Sequence, residues 1–510
     1  MILGDEKTIE SARTRTTLDN LFRRAAVRRP RAVALADPPD RSRATDGDAR
    51  RLTYADADDL ISAVAARLRG LGLSTDVVVA LQLPNTIESV ITLLGVMRAG
   101  MIAALVPLLW RKADIVQALN RIHAKAFITT SRIGTVAHGE LAMQAAADLF
   151  SIRHVCVFGE APDGTVPFDE VFRAGSQERP RTDRAGNPAD HVAVITFDVT
   201  ANGIVPVARN HAQLIAAGLA PLLEGRIAPD ATILTTTLIG SMAGTVLSVM
   251  PWLLSGGTLA LHHPFDGDSF AAQWRALRCE AVVLPAPLLP ALVEVGQRPE
   301  NIKTIFALWR GPERLATAAR WDGAASLVDV VAFGEIGLVA AQRREDGLPR
   351  DIPFGKIATP LGRHDAFPVL EAGRSKTGTL LLRGPITPQS AFPPGAEQRH
   401  EPIFKVSADG FIDTGYGCTT TTDGRSLAIS SPPAGFVGVG GYRLAMQEVD
   451  AVVARTTPGA TLIAVPHAMV GQRLAGAAAD PATAATELLE RGENPLIAAA
   501  FRSTRAPAAA

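Results

Sequence analysis

The segment TFDVTANGIVPVARNH, residues 196–211, decides how this part of the chain is expected to fold. An apolar run at 191–195 precedes it, and a helical-looking run, AQLIAAGLAPLL, follows it. An apolar strand, a small-residue loop and a helix together present backbone N–H groups to a phosphate. Such a loop normally carries a Lys beside its Gly and Thr residues. Here Thr200 and Gly203 are present, but valines stand where the cation is needed. The segment therefore resembles the remnant of a phosphate loop.

Length and composition exclude several classes of protein. A chain of 510 residues is too long for one compact core, so two or more domains are expected. Lys+Arg and Asp+Glu are equal at 51 each, so no net field gathers nucleic acid or an acidic membrane. Aromatic residues make up only 5%, which argues against base-stacking surfaces. Three cysteines without a CxxC pair suit a reducing compartment, and we expect a cytoplasmic protein without a zinc site.

Two segments bear on targeting and membranes. The first twenty residues are charged and polar, which predicts no secretory signal. Residues 231–261 contain no charged side chain, and a membrane helix needs about 20 apolar residues. Four glycines and Pro251 interrupt this run, however. We therefore predict a strand, a buried helix and a strand here, with a membrane span as the alternative.

Helix and strand patterns alternate through most of the chain. A helix is expected after Thr53, because Asp56 follows at capping-box spacing and Gly70 suits the other end. The predicted strands that follow are buried apolar runs: VVVALQLP, MIAALVP, KAFITTS, RHVCVFG, TLALHH, EAVVLPA, TIFALW and LVDVVAFG. The predicted helices between them are NTIESVITLLGVMRAG, SFAAQWRAL and one near LLPALVEVG. This alternation predicts an α/β fold with βαβ units and largely parallel sheets.

The pattern changes near Asp351. Short alternating runs such as GTLLLRGP predict a small β-rich region before residue 430. SSPPAGFVGVGG, residues 430–441, has the composition of a hinge. After it, YRLAMQEVDAVVAR predicts an amphipathic helix and TLIAVPH a strand.

Several motifs, in collinear order over nearly the whole chain, resemble the ANL superfamily of adenylate-forming enzymes. That superfamily includes acyl-CoA synthetases, adenylation domains of peptide synthetases, and luciferases. The segments that carry the resemblance are RLTYADADDLISAVAARLRGLGL, LLGVMRAGMIAALVP, RGPERL, AFGEIG, GTLLLRGP, DGFIDTGYG and VGGYRLAMQEVDAVV.

The resemblance implies an architecture and a reaction. A large adenylate-forming N-terminal domain, with βαβ subdomains and a small β-rich region, is expected over 1–430. A hinge at 431–441 and a truncated small α+β C-terminal domain at 442–510 are expected to follow. The implied reaction, in an acyl-CoA synthetase of fatty acid metabolism for example, joins a carboxylate to ATP with Mg²⁺. An acyl-adenylate and pyrophosphate result, and coenzyme A or a carrier thiol then takes the acyl group.

The resemblance also assigns site residues. The positions that correspond to nucleotide-binding motifs are Thr200, Gly203, Gly311, Pro312, Phe333, Gly334, Glu335, Thr414 and Gly415, with His211 at the His that follows the phosphate loop. The positions that correspond to the acyl pocket are Gly240, Ser241 and Met242. A plain turn at Gly311, a core aromatic at Phe333 and close helix packing at Gly240 are the structural alternatives.

The charged groups that the family uses are replaced. Val205 occupies the position of the loop Lys, or Val207 does if a one-residue gap is allowed. Arg209 is the nearest cation and would have to reach back toward the loop. The first loop positions are Asp198 and Val199, and an Asp in a phosphate cradle adds repulsion. The remaining replacements are Ile336 and Gly337 for the Thr-Glu that holds Mg²⁺, Tyr416 for the ribose Asp, and Pro432 for the hinge Arg. AAAFRSTRAPAAA, at the end of the sequence, resembles the lead-in to the segment with the C-terminal Lys, so that Lys is expected to be absent.

These replacements predict no catalytic residue and no metal ligand. Removing one preorganised group from such a site typically costs about 3 kcal/mol of transition-state stabilisation. Three functions stay open: a ligase of carboxylic acids with ATP and CoA, a non-catalytic binder of an acyl group, nucleotide or paralogous partner, and ATP-independent acyl transfer between thioesters or carrier proteins. A transferase motif formed by His262 and Asp266 is the less favoured interpretation of HHPFD, which lies in a loop.

Overall fold

The structure is a computed structural model that describes residues 15–174, 186–200, 203–290, 301–360, 366–396, 398 and 403–502. Its strands in chain order are β1 (Val33–Ala36), β2 (Arg51–Thr53), β3 (Val78–Gln82), β4 (Ile102–Leu105), β5 (Ala126–Thr130), β6 (His154–Phe158), β7 (Val166–Pro167), β8 (Val192–Thr200), β9 (Gly203–Asn210), β10 (Thr232–Thr235), β11 (Thr258–Leu261), β12 (Ala281–Pro285), β13 (Thr304–Trp309), β14 (Ser326–Phe333), β15 (Gly337–Gln342), β16 (Ile352–Pro353), β17 (Gly355–Pro360), β18 (Ala366–Arg374), β19 (Thr379–Arg383), β20 (Ile412–Thr420), β21 (Ser426–Ser431), β22 (Phe436–Val439), β23 (Tyr442–Ala445), β24 (Thr461–His467) and β25 (Gly471–Ala477).

Helices cover the sheets. They are α1 (Leu18–Arg28), α2 (Tyr54–Gly70), α3 (Ile87–Arg98), α4 (Lys112–Ile122), α5 (His138–Ala146), α6 (Val171–Ala174), α7 (His211–Glu224), α8 (Met242–Gly244), α9 (Met250–Ser255), α10 (Gly267–Leu277), α11 (Met446–Thr456), α12 (Pro481–Glu490) and α13 (Pro495–Ala499). A π-helical turn, Thr245–Val249, joins α8 to α9, and short 3₁₀ turns occur at Arg41–Arg43, Pro188–Asp190, Ala286–Leu288 and Pro312–Thr317.

Two large, mostly parallel sheets form the body of the fold. One has seven strands in the order β7-β6-β5-β3-β4-β8-β9, parallel except for the β8–β9 hairpin. The other has eight strands in the order β15-β14-β13-β12-β10-β11-β1-β2, antiparallel only at its two ends. Parallel strands need helical crossovers, and these cover both faces. The predicted α/β class is confirmed.

Two smaller sheets follow. An antiparallel sheet in the order β16-β21-β20-β19-β18-β17 is the β-rich region expected after residue 351. A four-stranded sheet, β23-β22-β25-β24, is packed against α11, α12 and α13 around Val437, Val449, Leu474 and Leu488. The division of the chain into domains at 431–441 stays a prediction, although the described link between the two sheets is only 432–435.

Most predicted elements are present for the predicted reasons. Thr53 caps α2 through a full capping box with Asp56. α2 continues through Gly70 to a cap at Leu71, so the predicted end is one residue early. The strand, helix and strand expected within 231–261 are β10, α8 with α9, and β11. Among the described residues, no helix is long and apolar enough to cross a membrane. The helix expected near LLPALVEVG lies largely outside the described residues.

Two predicted segments are wrong in type. The small-residue loop expected within 196–211 is instead the β8–β9 hairpin, whereas the helix expected directly after it is present as α7. The helix expected from Tyr442 begins at Met446, because Tyr442–Ala445 pairs with β22. β22 itself lies within the predicted hinge. Both errors have one cause: these segments carry alternating apolar residues that suit a strand, next to a stronger helical pattern.

Candidate nucleotide cleft

The β8–β9 hairpin occupies the place of the predicted phosphate loop. Asp198 pairs with Val205, and Thr200 pairs with Gly203, so only residues 201 and 202, which lie outside the described residues, separate the strands. The Thr200 hydroxyl donates to the Gly203 carbonyl, at 3.0 Å. The first turn of α7 is also satisfied from within, because the Asn210 side chain accepts from the Gln213 amide. The Gln213 amide is therefore not available to a phosphate.

Valines at the predicted Lys position are buried in an apolar cluster. Val205 and Val207 are each 1% exposed and pack with Ile336, Phe404 and Ile412. Ile336 stands where the resemblance places the Thr of the Thr-Glu pair. Apolar contacts thus replace two of the expected phosphate contacts, and a cation at Val205 would lie inside a hydrophobic cluster.

The carboxylate of Asp198 is satisfied by three donors from its own chain. Oδ1 accepts from Arg443 Nη1 at 2.8 Å and from the Val199 amide at 2.9 Å. Oδ2 accepts from the Glu335 amide at 3.1 Å. Asp198 is buried, so these contacts hold a charge that would otherwise be costly to desolvate. The hairpin is therefore tied to both the 334–336 turn and the strand that carries Arg443.

Arg443 brings a cation into the cleft from β23. Its Nη2 donates to the Tyr416 hydroxyl at 2.9 Å, and the guanidinium lies 5.5 Å from the centre of the Tyr416 ring. The Phe436 ring is 5.9 Å away. Burial alone would lower the pKa of Arg443, but Asp198 and Tyr416 outweigh it and hold the pKa above its usual value. The cation is therefore fixed in its charged form and engaged on two sides.

Tyr416 and Phe333 form the wall of this cluster. Tyr416, at the predicted ribose position, is buried, and burial raises the pKa of its phenol. Phe333, at the predicted adenine position, is fully buried and meets the Tyr416 ring edge-on, with centroids 5.5 Å apart. The two side chains pack on each other in the core.

Glu335 is the carboxylate nearest in sequence to the position of the Mg²⁺ ligand, but its side chain contacts the backbone of another segment. Its Oε2 accepts from the Met242 amide at 2.8 Å. Burial raises the pKa of Glu335, and the nearby Arg310 opposes that rise. Gly337 opens β15 opposite Phe333 and offers no side chain. Among the described residues, no group of three or more His, Cys, Asp or Glu is arranged to hold a metal ion. The residues around Glu335 do not fit a bound Mg²⁺.

Arg209 does not reach back toward the hairpin tip. Its side chain is buried and donates to the backbone carbonyls of Glu335, Ile336 and Ile386. Burial lowers the pKa of Arg209 to about 10. The guanidinium thus supports the 334–336 turn from beneath.

The predicted acyl-pocket residues lie beside Arg310. The Ser241 hydroxyl accepts from Arg310 Nη2 at 2.9 Å and also caps α8. Met242 is 2% exposed and belongs to the main core, whereas a side chain at Gly240 would meet little except the Val106 carbonyl. Of these three positions, Met242 is buried, whereas Gly240 and Ser241 are partly exposed.

The other predicted positions have ordinary structural partners. Gly311 precedes the Pro312–Thr317 turn, and Pro312 is buried. The Thr414 hydroxyl donates to the Leu380 carbonyl at 2.9 Å, and Gly415 lies against Pro433. Pro432 is exposed in the link between the two smaller sheets. Outside the cleft, His262 hydrogen-bonds to Gln273 and accepts from the Asp266 amide, so both ring nitrogens are engaged.

Sequence reasoning missed the cations that the fold supplies. Arg310 and Arg443 both lie in quoted motifs, RGPERL and VGGYRLAMQEVDAVV, but neither stands at a position where the resemblance places a charged group. Among the described residues of the cleft, Arg209 donates to carbonyls, Arg310 to a hydroxyl and Arg443 to a carboxylate of the same chain. These cations are therefore engaged internally. Roles in nucleotide or acyl binding stay predictions for every assigned residue.

Comparisons with known proteins agree with this architecture. The profile of a family described as AMP-binding enzyme matches residues 22–422. The 2-hydroxy-7-methoxy-5-methyl-1-naphthoate–CoA ligase of Streptomyces carzinostaticus is 25% identical over 476 residues, 88% of this chain and 81% of that protein. The salicyl-AMP ligase / salicyl-S-ArCP synthetase of Mycobacterium tuberculosis is 27% identical over 418 residues, 78% of this chain and 70% of that protein.

Solved structures share the fold. The apo structure of Mycobacterium smegmatis MbtA matches with a TM-score of 0.66 and 21% identity, over 96% of this chain and 92% of that one. The amide bond synthetase McbA from Marinactinospora thermotolerans matches with a TM-score of 0.72 and 17% identity, over 94% of each chain. At these identities the likeness concerns the fold alone.

Proposed function

This chain belongs to the AMP-binding enzyme family, within the ANL superfamily of adenylate-forming enzymes, and from that premise we propose that it has lost most or all of the ATP-dependent step. The proposed function is that of a non-catalytic relative of acyl-CoA synthetases, which uses the adenylating scaffold for binding. Its occupant would be an acyl group or a partner such as a paralogue or carrier protein, in a cytoplasmic setting. The division at 431–441 into a large and a small domain is part of the proposal.

One observation carries the proposal: Asp198, at the start of the predicted phosphate loop, is ion-paired with Arg443 at 2.8 Å. A triphosphate needs preorganised cations and donors where its charge develops. Here the Arg443 guanidinium is already paired with Asp198, and that carboxylate would repel an incoming phosphate. Removing the pair by displacing Arg443 would leave Asp198 buried and uncompensated.

The surroundings of Asp198 give further support. Val205 and Val207 contribute methyl groups where the reaction needs a cation. Arg209 is held by three carbonyls, and Glu335 by the Met242 amide. Losses at groups that act as a unit do not simply add, so a single compensating residue would not restore the step.

Pyrophosphate release tests this proposal. Purified protein is incubated with ATP, Mg²⁺, hydroxylamine and a panel of carboxylic acids, with the salicyl-AMP ligase relative assayed in parallel. Loss of one preorganised group lowers the rate by about a hundred- to a thousandfold, so we expect at least about a thousandfold less pyrophosphate than the relative releases. A rate within tenfold of the relative would overturn the proposal.

A second candidate is a working ligase for aromatic carboxylic acids. The relatives that favour it are named for a naphthoate and for salicylate, and not for fatty acids. If the panel above yields a hydroxamate, we expect it first with aryl acids, and addition of CoA or a carrier protein would then identify the acceptor. Thioester exchange in the absence of ATP would instead favour acyl transfer.

A further inference from the structure

The β22–β23 hairpin inserts into the cleft. Its turn, Gly440 and Gly441, has positive φ at both positions, and a side chain at Gly441 would overlap Arg310. Tyr442 lies against the backbone of Leu108 and Leu109. Arg443, one residue further on, reaches Asp198. The hairpin therefore delivers one guanidinium into a recess formed by the larger part of the chain.

The recess matches a guanidinium in shape and in hydrogen bonding. Asp198 Oδ1 and the Tyr416 hydroxyl accept from the two terminal nitrogens, at 2.8 and 2.9 Å. The Val199 carbonyl lies 3.4 Å from Nη1, and the Tyr416 ring provides an aromatic face. A planar group with divergent donors is what such a set of acceptors recognises, and a compact ammonium cannot reach both oxygens equally.

Gly334 leaves the room that the guanidinium fills. Its φ is +57°, in the left-handed region. A Cβ at this position would overlap Asp198 Oδ2 and would lie 3.0 Å from Arg443 Nη2. The backbone of the 334–336 turn therefore forms the floor of the recess, and its Glu335 amide fixes the Asp198 carboxylate from the far side.

We propose that Asp198, Gly334 and Tyr416 form a guanidinium-binding pocket, that Arg443 is its intramolecular ligand, and that withdrawal of the hairpin opens the pocket to a small guanidino compound. This goes beyond the proposed function, although the two share one group: the carboxylate that disfavours a triphosphate is the acceptor for the cation. A tethered ligand has an effective concentration in the millimolar range or above, so the pocket is accessible only when the hairpin moves.

Agmatine is the probe, and 1,4-diaminobutane, which lacks the guanidinium, is its matched control. Thermal unfolding is followed for the wild type, Arg443→Ala and the double variant Arg443→Ala/Asp198→Asn. We expect agmatine in excess to raise the Tm of Arg443→Ala by roughly 2 °C or more. We expect no such rise for the wild type, for the double variant, or with diaminobutane.

Two further variants keep the test decisive. Arg455→Ala is a control at an exposed arginine of α11, whose Nη2 lies 3.7 Å from Glu493 Oε1. This variant should respond to agmatine as the wild type does. Arg443→Lys retains a cation, should fold even if Arg443→Ala does not, and should gain Tm with agmatine while starting below the wild type. No agmatine response in either folded Arg443 variant, or an equal response after loss of Asp198, overturns the pocket.

The outcomes also separate this inference from the proposed function. Rapid pyrophosphate release by the wild type would overturn the proposed function whatever agmatine does. An agmatine-insensitive pocket together with absent pyrophosphate release would overturn the guanidinium site alone.

Discussion

The centre of the seven-stranded sheet and the nucleotide cleft differ in what their side chains contact. β3 is buried along its whole length between β4 and β5, and its apolar side chains specify nothing beyond packing. In the cleft, the segments that resemble the family motifs also follow one another in the same order along the chain. Their side chains Asp198, Tyr416 and Arg443, however, bind one another. Apolar burial therefore maintains the scaffold independently of the polar groups that a function needs.

Within the cleft, two arginines illustrate the same contrast. Arg209 acts as a structural support, since it is buried beneath the 334–336 turn and donates to carbonyls. Arg443 instead joins two parts of the chain that are 245 positions apart in sequence. The first supports a turn of the fold, whereas the proposed function rests on the second. Four substitutions or titrations separate these contributions.

Replacement of Arg209 should have the largest effect. Arg209→Ala leaves three carbonyls and the neighbouring acidic groups without their cation, and loss of one partner of a buried charged network typically costs about 3–5 kcal/mol. Urea unfolding measures the change. Arg209→Lys is the matched control and should recover part of the loss. A cost below about 1 kcal/mol for Arg209→Ala would show that the turn does not depend on this support.

Restoring the family cation should be nearly as damaging. Val205→Lys places an ammonium among Ile336, Phe404 and Ile412, and we expect about 3 kcal/mol of lost stability without any gain in pyrophosphate release. Val27→Lys, at a position that is 84% exposed, controls for the substitution and should change stability by less than about 0.5 kcal/mol. Pyrophosphate release by Val205→Lys would mean that the cleft is nearer to catalysis than its contacts indicate.

Neutralising Asp198 should have a moderate effect. Asp198→Asn keeps the shape but weakens the hydrogen bonds to Arg443 and to two backbone amides, and we expect a loss of about 2 kcal/mol in urea unfolding. Asp346→Asn, on the surface beside Arg344, is the control and should have little effect. Equal costs for the two substitutions would remove the distinction between the cleft pair and an ordinary surface pair.

Asp114 provides the smallest effect, through pH. It lies on α4 near Glu448 and Glu493 of the smaller part of the chain, and burial raises its pKa to about 6. Because the folded pKa exceeds that of the unfolded chain, the penalty is absent below pH about 4 and complete above pH about 6. The contribution to stability should therefore rise by about 1 kcal/mol when the pH falls from 7 to 5.

Asp114→Asn tests that sign. The substitution should remove this part of the pH dependence, so the difference between wild type and variant should shrink by about 1 kcal/mol from pH 7 to pH 5. Stability measured by urea unfolding at both pH values provides the check. A wild type that loses stability relative to Asp114→Asn on acidification would contradict the raised pKa.

The sequence predicted those parts of the fold in which one local pattern governs. Thr53 and Asp56 predicted the start of α2, and apolar runs predicted β3 and β5. β9 and β23 were misassigned, because short alternating segments beside strong helical patterns are ambiguous without their pairing partners. Because Asp198 pairs with Val205, the segment is a hairpin and not the expected loop.

The cleft was less predictable than the fold. Sequence reasoning identified the missing charges at Val205, Gly337 and Tyr416 from the resemblance, but it could not find Arg443 as the partner of Asp198. The direction of a side chain at the end of a hairpin depends on the turn at Gly440 and Gly441 and on the position of another sheet. No periodic pattern in the sequence predicts the contact between Arg443 and Asp198.

The left-handed glycine at position 334 makes this recess an all-or-none feature under mutation. Any other residue there places a carbon atom against Asp198, and most side chains would also strain a backbone with a φ of +57°. Drift at this one codon would abolish the recess in a single step, whereas drift at codon 443 only exchanges its occupant. Divergent copies of this chain should therefore separate into two groups according to residue 334.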